Sequence, residues 1–228
     1  MNKHTTVYKG NDVYNDIKMN YEVFFPDQWE DLPLIVFLHG AGERGDSLEN
    51  VNRWALPRLI TQGWEIPAVI LCPQCPCEYV WDNLVRDLKC LIDEVVRTFD
   101  IKDDRIAITG ASMGGFGTWS MGLTYTNFFS AIAPVAGGGL SWRASNLKKT
   151  PVFAVHGDKD DVVPLVYSQL MVNGVNESGG DATLVVLEGM GHGDGIENAY
   201  ENTDLINWML KQRRTDFEPV PEAFSEYF

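Results

Sequence analysis

The pentapeptide Gly110-Ala-Ser-Met-Gly114 constrains the fold more than any other part of the sequence. It follows an apolar run at residues 105–109 and precedes small and aromatic residues at 115–121, so it joins a predicted strand to a predicted helix. In that context a Gly-x-Ser-x-Gly sequence forms a sharp turn, where a side chain at either glycine would collide with the neighbouring strand or helix. The turn exposes the serine hydroxyl above the sheet, at the N-terminus of the helix. Ser112 is therefore the candidate nucleophile.

A serine hydroxyl becomes a good nucleophile only when a base accepts its proton and an acid orients that base. With this type of turn, the acid and then the histidine follow the serine along the chain. The apolar strand at 182–187 leads into Gly191-His192-Gly193, whose glycines allow the backbone to bring the ring close to Ser112. His192 is therefore the predicted base. The acid is expected in the loop after the strand at 152–155, where spacing alone leaves three candidates: Asp158, Asp160 and Asp161.

The other three histidines fit the role of base less well. His4 lies in the N-terminal segment, where an exposed position is expected. His39 ends the predicted strand at 34–38, where its ring is expected to bond locally and shape the loop that follows. His156 ends the strand at 152–155 and precedes the candidate acids, so we predict a structural role for it.

Three segments make the chain resemble a known group of enzymes: Leu38-His-Gly-Ala-Gly-Glu-Arg-Gly45, Gly110-Ala-Ser-Met-Gly-Gly115 and His156-Gly-Asp-Lys-Asp-Asp-Val-Val-Pro164. Together with Gly191-His192 they resemble the α/β-hydrolase superfamily, and within it the single-domain carboxylesterase group of dienelactone hydrolases, phospholipase/carboxylesterases and feruloyl esterases. The resemblance implies that the acid is the aspartate four residues after the histidine of the third segment. That residue is Asp160, and Asp161 is the alternative.

An oxyanion hole is the remaining requirement, because acyl transfer places negative charge on the carbonyl oxygen. Met113, the residue after the candidate nucleophile, supplies one backbone N–H from the start of the helix. The loop His39-Gly-Ala-Gly42 follows a predicted strand and is suited to supply the second N–H. The resemblance implies that this second donor is Ala41.

Residues near these motifs are predicted to bind the substrate. Gly42, Glu43, Arg44 and the loop that ends at Trp81 are expected on one side of the site, and Trp142 on the other. Arg44 is expected either to recognise a substrate carboxylate or to pair with an acid such as Glu43. Trp142 is expected either to stack on a sugar or aromatic acyl group or to pack at the rim.

Strand-like and helix-like segments alternate along the chain, which indicates a mostly parallel central sheet with helices on both faces. This is the α/β-hydrolase fold that the resemblance implies, with a single domain at residues 1–212 and a C-terminal tail at 213–228. Only residues 136–150 separate the strand at 131–135 from the next one, so no cap domain is expected. The other predicted elements are an antiparallel pair at 5–8 and 17–25, a strand at 68–72, and helices at 47–61, 83–97, 166–178 and 196–211.

The charge of the chain limits its partners. A net charge of −14 and a pI near 4.6 predict a surface that repels nucleic acid and anionic membranes, so neither is expected to bind. The chain begins without an apolar signal core and contains no spanning segment, and it is therefore predicted to be cytoplasmic. The aromatic residues of the tail are expected to pack on the domain or on a second subunit of a homodimer: Phe217, Phe224, Tyr227 and Phe228.

The four cysteines are predicted to be reduced thiols rather than metal ligands. Three of them cluster at residues 72–77, but the fourth, Cys90, falls inside a helical pattern. A zinc site needs four ligands and usually a second paired motif. No metal or organic cofactor is therefore expected.

These features together predict a serine carboxylesterase that acts through Ser112, His192 and Asp160. Short-chain acyl, acetyl-sugar and hydroxycinnamoyl esters are the expected substrates, the last two by resemblance. A prolyl-oligopeptidase-like serine peptidase and a thioesterase are alternatives that would use the same three residues. A non-catalytic scaffold on the same fold is a further alternative, and the intact set of three side chains argues against it.

Overall fold

The predicted strands form one eight-stranded sheet in the computed structural model, which describes residues 1–10 and 17–216. The strands are Asn2–Lys9 (β1), Lys18–Phe25 (β2), Leu34–Leu38 (β3), Val69–Pro73 (β4), Ile106–Ala111 (β5), Ala131–Val135 (β6), Val152–Gly157 (β7) and Ala182–Leu187 (β8). Their order across the sheet is β1-β2-β4-β3-β5-β6-β7-β8. The pairs β1–β2 and β2–β4 are antiparallel and all the others are parallel, so the mostly parallel sheet is confirmed.

Helices cover both faces of this sheet, as predicted. They are Ala55–Thr61 (α1), Val85–Thr98 (α2), Met113–Thr124 (α3), Val166–Glu177 (α4), His192–Asn202 (α5) and Leu205–Lys211 (α6). Alternate residues of β3 enter two different cores: Leu34, Val36 and Leu38 pack with α2, α3 and α4, whereas Ile35 and Phe37 pack with α1, α5 and α6. A strand that is buried on both sides is typical of a parallel sheet between two helical layers.

The first predicted helix is shorter than expected. Of residues 47–61, only α1 is α-helical, and Val51–Arg53 forms a single 3-10 turn. Pro57 lies in the first turn of α1, which is the part of a helix that tolerates proline because its N–H groups have no intrahelical partners. The proline therefore prevents the α-helix from continuing upstream.

The last predicted helix is divided in two. Thr203 lies between α5 and α6 with an extended backbone at φ −105° and ψ 169°. Its hydroxyl donates to the carbonyl of Ala199 and accepts the N–H of Leu205, at 2.5 and 3.3 Å, and so caps both helices. Helix α5 also begins earlier than expected, at His192 rather than at residue 196.

The region between β6 and β7 shows that the sheet carries no cap domain there. Within the described residues 136–151, the chain forms only the 3-10 helix Ser141–Leu147. The carboxyl ends of β3, β5, β7 and β8, which lead into the predicted site segments, are therefore left open.

The described part of the tail contacts the domain. The N–H of Arg214 donates to the carbonyl of Asp104 at 2.9 Å, and the Arg213 guanidinium lies 3.3 Å from the Asp104 carboxylate. The four tail aromatics lie outside the described residues. Within residues 1–10 and 17–216, no helix is both long enough and apolar enough to cross a membrane.

Candidate active site

The turn around Ser112 has the geometry that the sequence predicts. Ser112 joins β5 to α3 with φ 56° and ψ −118°, a conformation that is costly for a residue other than glycine. A Cβ added at Gly110 would lie 2.4 Å from the Gly114 carbonyl oxygen, and one added at Gly114 would lie 1.8 Å from the Leu38 carbonyl oxygen. Both positions therefore require glycine, as the motif predicts.

His192 lies between Ser112 and Asp160. Its Nε2 atom is 2.9 Å from the Ser112 Oγ, and its Nδ1 atom is 2.7 Å from the Asp160 Oδ2. Because an ionised carboxylate only accepts, Nδ1 carries the proton and Nε2 is left to accept the hydroxyl proton of Ser112. Asp161 is exposed, and Asp158 accepts a backbone N–H from the loop before His192 at 2.6 Å. The structure thus brings together the three side chains that the sequence analysis singled out.

Asp160 is held as a buried carboxylate. Its side chain is fully buried, and its Oδ1 accepts the N–H groups of Val162 and Val163 at 3.0 and 2.8 Å. Burial alone would raise its pKa, but the hydrogen bonds from His192 and from these two N–H groups outweigh burial and lower it. Asp160 therefore stays ionised while it orients the ring.

The two predicted oxyanion donors lie at helix starts beside Ser112. Met113 is the first residue of α3, whose first hydrogen bond runs from Phe116 to the Ser112 carbonyl, so the Met113 N–H has no partner within the helix. Ala41 is the first residue of a 3-10 helix that ends at residue 43. A Cβ added at Gly40 would lie 3.6 Å from the Ser112 Cβ, which shows how close this loop comes. Both N–H groups are suited to bind an oxygen held at Ser112.

His39 shapes the loop that carries Ala41, in agreement with the sequence analysis. Its Nδ1 donates to the Gly40 carbonyl at 2.6 Å, and its Nε2 accepts the Cys75 N–H at 2.9 Å. Burial lowers the pKa of His39 from 6.5 to about 4, and the charge of Arg44 adds to this effect. His39 is therefore a neutral structural ring, and its two nitrogens are both used, one within the loop and one on the segment that follows β4.

An apolar pocket of about 310 Å³ opens beside Ser112 and His192. Trp54 is 51% exposed and forms part of its wall. The sequence analysis missed this side of the pocket, because its residues come from distant segments. Of these residues, only Ile196 could have been predicted from the sequence, because it lies four residues after His192 and therefore on the same face of α5. The apolar lining side chains are Phe37, Val51, Trp54, Ala55, Val162 and Ile196.

Gly42 and Glu43 also line this pocket, but Arg44 does not. Among residues 1–10 and 17–216, the Arg44 guanidinium pairs with no carboxylate, so the expected pairing with an acid such as Glu43 is not found. It donates instead to three backbone carbonyls and so ties two loops together, at Ala41, Cys77 and Tyr79.

The two predicted tryptophans lie outside the pocket. Trp81 is completely buried, and its indole N–H donates to the His39 carbonyl at 2.9 Å, so it supports the loop from behind and does not form the predicted wall. Trp142 is 55% exposed and lies beside Arg143, whose guanidinium carbon is 5.9 Å from the indole ring centre. The prediction erred for Trp81 because an aromatic residue next to a loop can face either the core or the solvent.

The cysteines are free thiols, with Cys72 and Cys75 buried and Cys77 and Cys90 exposed. Among the residues that the structure describes, no three histidine, cysteine or acidic side chains are grouped to hold a metal ion.

A comparison with known protein families identifies the family to which this chain belongs. The family model described as phospholipase/carboxylesterase matches residues 77–200, which is more than half of the sequence. The chain belongs to the phospholipase/carboxylesterase family. The matched part of this family member contains Ser112, Asp160 and His192, and the loop that carries Ala41 precedes it.

Three known proteins are similar to this phospholipase/carboxylesterase family member. A thermostable esterase is 30% identical with a TM-score of 0.79, over 92% of this chain and 63% of its own. The feruloyl esterase module of Clostridium thermocellum, solved as a mutant with sinapinate, is 15% identical with a TM-score of 0.71, over 96% and 91% of the two chains, and shows the fold alone. A bifunctional acetylxylan esterase/xylanase of Neocallimastix patriciarum is 32% identical over 73 residues, which are 32% of this chain and 11% of that protein. The chain therefore spans less than two thirds of the first protein and about a tenth of the last.

Proposed function

We propose that this chain is a serine esterase in which Ser112 attacks the carbonyl carbon of a carboxylic ester. The observation that carries the proposal is the hydrogen-bond chain from Ser112 through His192 to the buried Asp160, beside an apolar pocket. Membership in the phospholipase/carboxylesterase family supports the same reaction class.

The geometry suggests how acylation proceeds. As the Ser112 Oγ bonds to the carbonyl carbon, its proton moves to the His192 Nε2, and the carbonyl oxygen becomes an oxyanion. The backbone N–H groups of Ala41 and Met113 bind that oxyanion, and the Asp160 carboxylate stabilises the cationic ring. The intermediate then expels the alcohol, which leaves with the proton from Nε2, and an acyl group remains on Ser112.

Deacylation repeats the same steps with water. A water molecule attacks the acyl carbon while its proton passes to the His192 Nε2, and the oxyanion forms again at Ala41 and Met113. The intermediate releases the carboxylic acid, and the proton returns to the Ser112 oxygen. Both halves of the reaction use the same base and the same two N–H donors.

The pocket favours esters with an apolar group larger than acetyl. Its volume is at the lower end of the range for small-molecule sites, and its wall is formed mainly by aliphatic and aromatic side chains. Of the three expected substrate classes, hydroxycinnamoyl esters match such a wall better than acetylated sugars do, and acyl esters of medium length should fit it better than the short-chain esters that the sequence predicts. Trp54→Ala should therefore reduce kcat/KM for the longer esters more than for the acetate.

The test is hydrolysis of p-nitrophenyl esters from acetate to decanoate, and of methyl ferulate, by the wild type and Ser112→Ala. Loss of the nucleophile should reduce kcat by about 10⁶-fold. Ser120→Ala is a matched control on the same helix, because its hydroxyl bonds the surface residue Asp82. It should keep the wild-type rate.

Two further probes separate the alternatives. A fluorophosphonate should label the wild type at Ser112 and leave Ser112→Ala unlabelled, which a non-catalytic scaffold would not show. An anilide substrate cleaved as fast as the matching ester would favour a peptidase. Equal background rates in the wild type and Ser112→Ala on every ester would overturn the esterase proposal.

A further inference from the structure

His156 faces the same carboxylate oxygen as the candidate catalytic base. Its Nε2 atom is 3.3 Å from the Asp160 Oδ2, and the His192 Nδ1 is 2.7 Å from that atom. The side chains of His156 and Asp160 are both fully buried. His156 lies at the end of β7, so the strand places its ring directly beneath the loop that carries Asp160.

The proton on Nε2 is fixed by what surrounds it. The Val163 carbonyl lies 2.8 Å from Nε2, so this nitrogen faces two acceptors, a carbonyl and a carboxylate. Neither group can donate, and therefore Nε2 carries a proton. On the other side of the ring, Nδ1 lies 2.8 Å from the hydroxyl of Ser168, which can act as either donor or acceptor. Nε2–H is thus directed at Asp160 and Val163 whichever way Ser168 is oriented.

Val163 links the two contacts of this ring. Its N–H donates to the Asp160 Oδ1 at 2.8 Å, and its carbonyl accepts from His156. Asp160 consequently accepts the N–H groups of Val162 and Val163 at Oδ1 and the His192 Nδ1–H at Oδ2. The His156 Nε2–H bonds the Val163 carbonyl and lies beside the same Oδ2, at 3.3 Å between the heavy atoms. Such a carboxylate has no freedom to rotate away from the base.

We propose that His156 is a positioning residue: its Nε2–H bonds the carbonyl of Val163, whose own N–H holds the Asp160 carboxylate in the orientation that His192 requires. The inference rests on the proposed esterase function, because it assigns Asp160 as the acid of the reaction. Without the Nε2–H, the loop loses its tie at Val163, and Oδ2 loses the polar N–H that lies beside it. The carboxylate should then orient His192 less well, which lowers kcat and leaves the pocket and KM unchanged.

The experiment compares three substitutions that differ in where they place a donor. His156→Gln puts an amide N–H near the position of Nε2, whereas His156→Asn is too short and His156→Phe has no donor. We expect kcat to fall about 10- to 100-fold in the asparagine and phenylalanine variants, as for a buried carbonyl left without its donor, and to return to within about threefold of wild type in the glutamine variant. Ser168→Ala is the matched control, since it removes the Nδ1 contact and the bond from Ser168 to the Gly137 carbonyl but leaves the Nε2–H on Val163, and it should stay within about threefold of wild type.

A second readout does not depend on turnover. The proton between the His192 Nδ1 and Asp160 should give a downfield NMR resonance in the wild type and in His156→Gln, and a shifted or broadened one in His156→Asn. If kcat in the glutamine and asparagine variants falls equally, or if neither variant changes kcat or this resonance, the positioning role is overturned. If the wild type itself shows no Ser112-dependent turnover, the esterase proposal fails, and the resonance still tests the contact between His156 and Asp160.

Discussion

Acidification should weaken the fold through His39, and its surroundings determine the size of the effect. The ring is buried and its Nε2 already accepts the Cys75 N–H, so the folded state leaves no room for a second proton. Burial lowers the pKa of His39 from 6.5 to about 4, whereas the unfolded chain keeps the ordinary value. As the pH falls, the unfolded chain therefore binds the proton first. The stability that the neutral ring contributes is complete above pH 6.5 and is lost between about pH 6.5 and about pH 4.

Relative to pH 8, the free energy of unfolding should be lower by about 2 kcal/mol at pH 5 and by about 3 kcal/mol at pH 4, because one pKa unit corresponds to about 1.4 kcal/mol. Urea unfolding of the wild type and His39→Gln between pH 8 and pH 5 would measure it, because glutamine keeps an acceptor for Cys75 but cannot take up a proton. The difference in the free energy of unfolding, wild type minus variant, should decrease by about 2 kcal/mol over this range. A constant difference would refute the reasoning, as would an NMR titration in which the folded His39 ring protonates near its ordinary pKa.

Five other substitutions test the framework of the site. Gly114→Ala forces a Cβ into the β3 backbone and should destabilise the protein by about 3 kcal/mol or more, whereas Gly193→Ala, with no atom within 4 Å of its added Cβ, should be neutral or stabilising in urea unfolding. Asp160→Asn should lower kcat by about 10⁴-fold. The folded state lowers the pKa of Asp160, so the ionised carboxylate stabilises the wild type above the ordinary pKa of Asp, and this stability is lost as the pH falls through the lowered value. The asparagine variant should lack this pH-dependent part of the stability. Glu197→Ala removes the carboxylate that accepts the first N–H of α1 at 2.8 Å and that also pairs with Arg58, and it should cost about 1–3 kcal/mol. Glu201→Ala removes only a more exposed contact with Arg58 and should cost less. An equal loss of stability in the two glycine variants, or in the two glutamate variants, would contradict these assignments.

The parts of the site that depend on local sequence could be predicted. Glycines fix the turn around Ser112, and the order of strands and loops places His192 after it. Spacing could not choose between Asp160 and Asp161, because both lie in one polar loop and the resemblance was needed to separate them. In the structure the N–H groups of Val162 and Val163 fix the inward orientation, and they act on Asp160 alone.

The pocket wall could not be predicted, because it forms only when distant segments meet. Trp54 precedes α1, Val162 follows β7 and Ile196 belongs to α5, and no pattern in the sequence joins the three. Trp81 was expected at the wall of the site, on the loop that it ends, whereas its side chain is buried and its indole N–H donates to the His39 carbonyl. Tertiary packing decides which aromatic residues near a loop reach solvent.

Helix α5 combines tasks that are often divided among separate elements. It begins at the candidate base His192, contributes Ile196 to the pocket wall, and buries Ala199 and Tyr200 in the core that it shares with α1 and α6. A local opening of this helix would remove the base, the wall and part of the core in a single event. Conditions that speed hydrogen exchange at the α5 amides should therefore also reduce turnover. A variant selected for a wider pocket at Ile196 should also show a shorter thermal half-life.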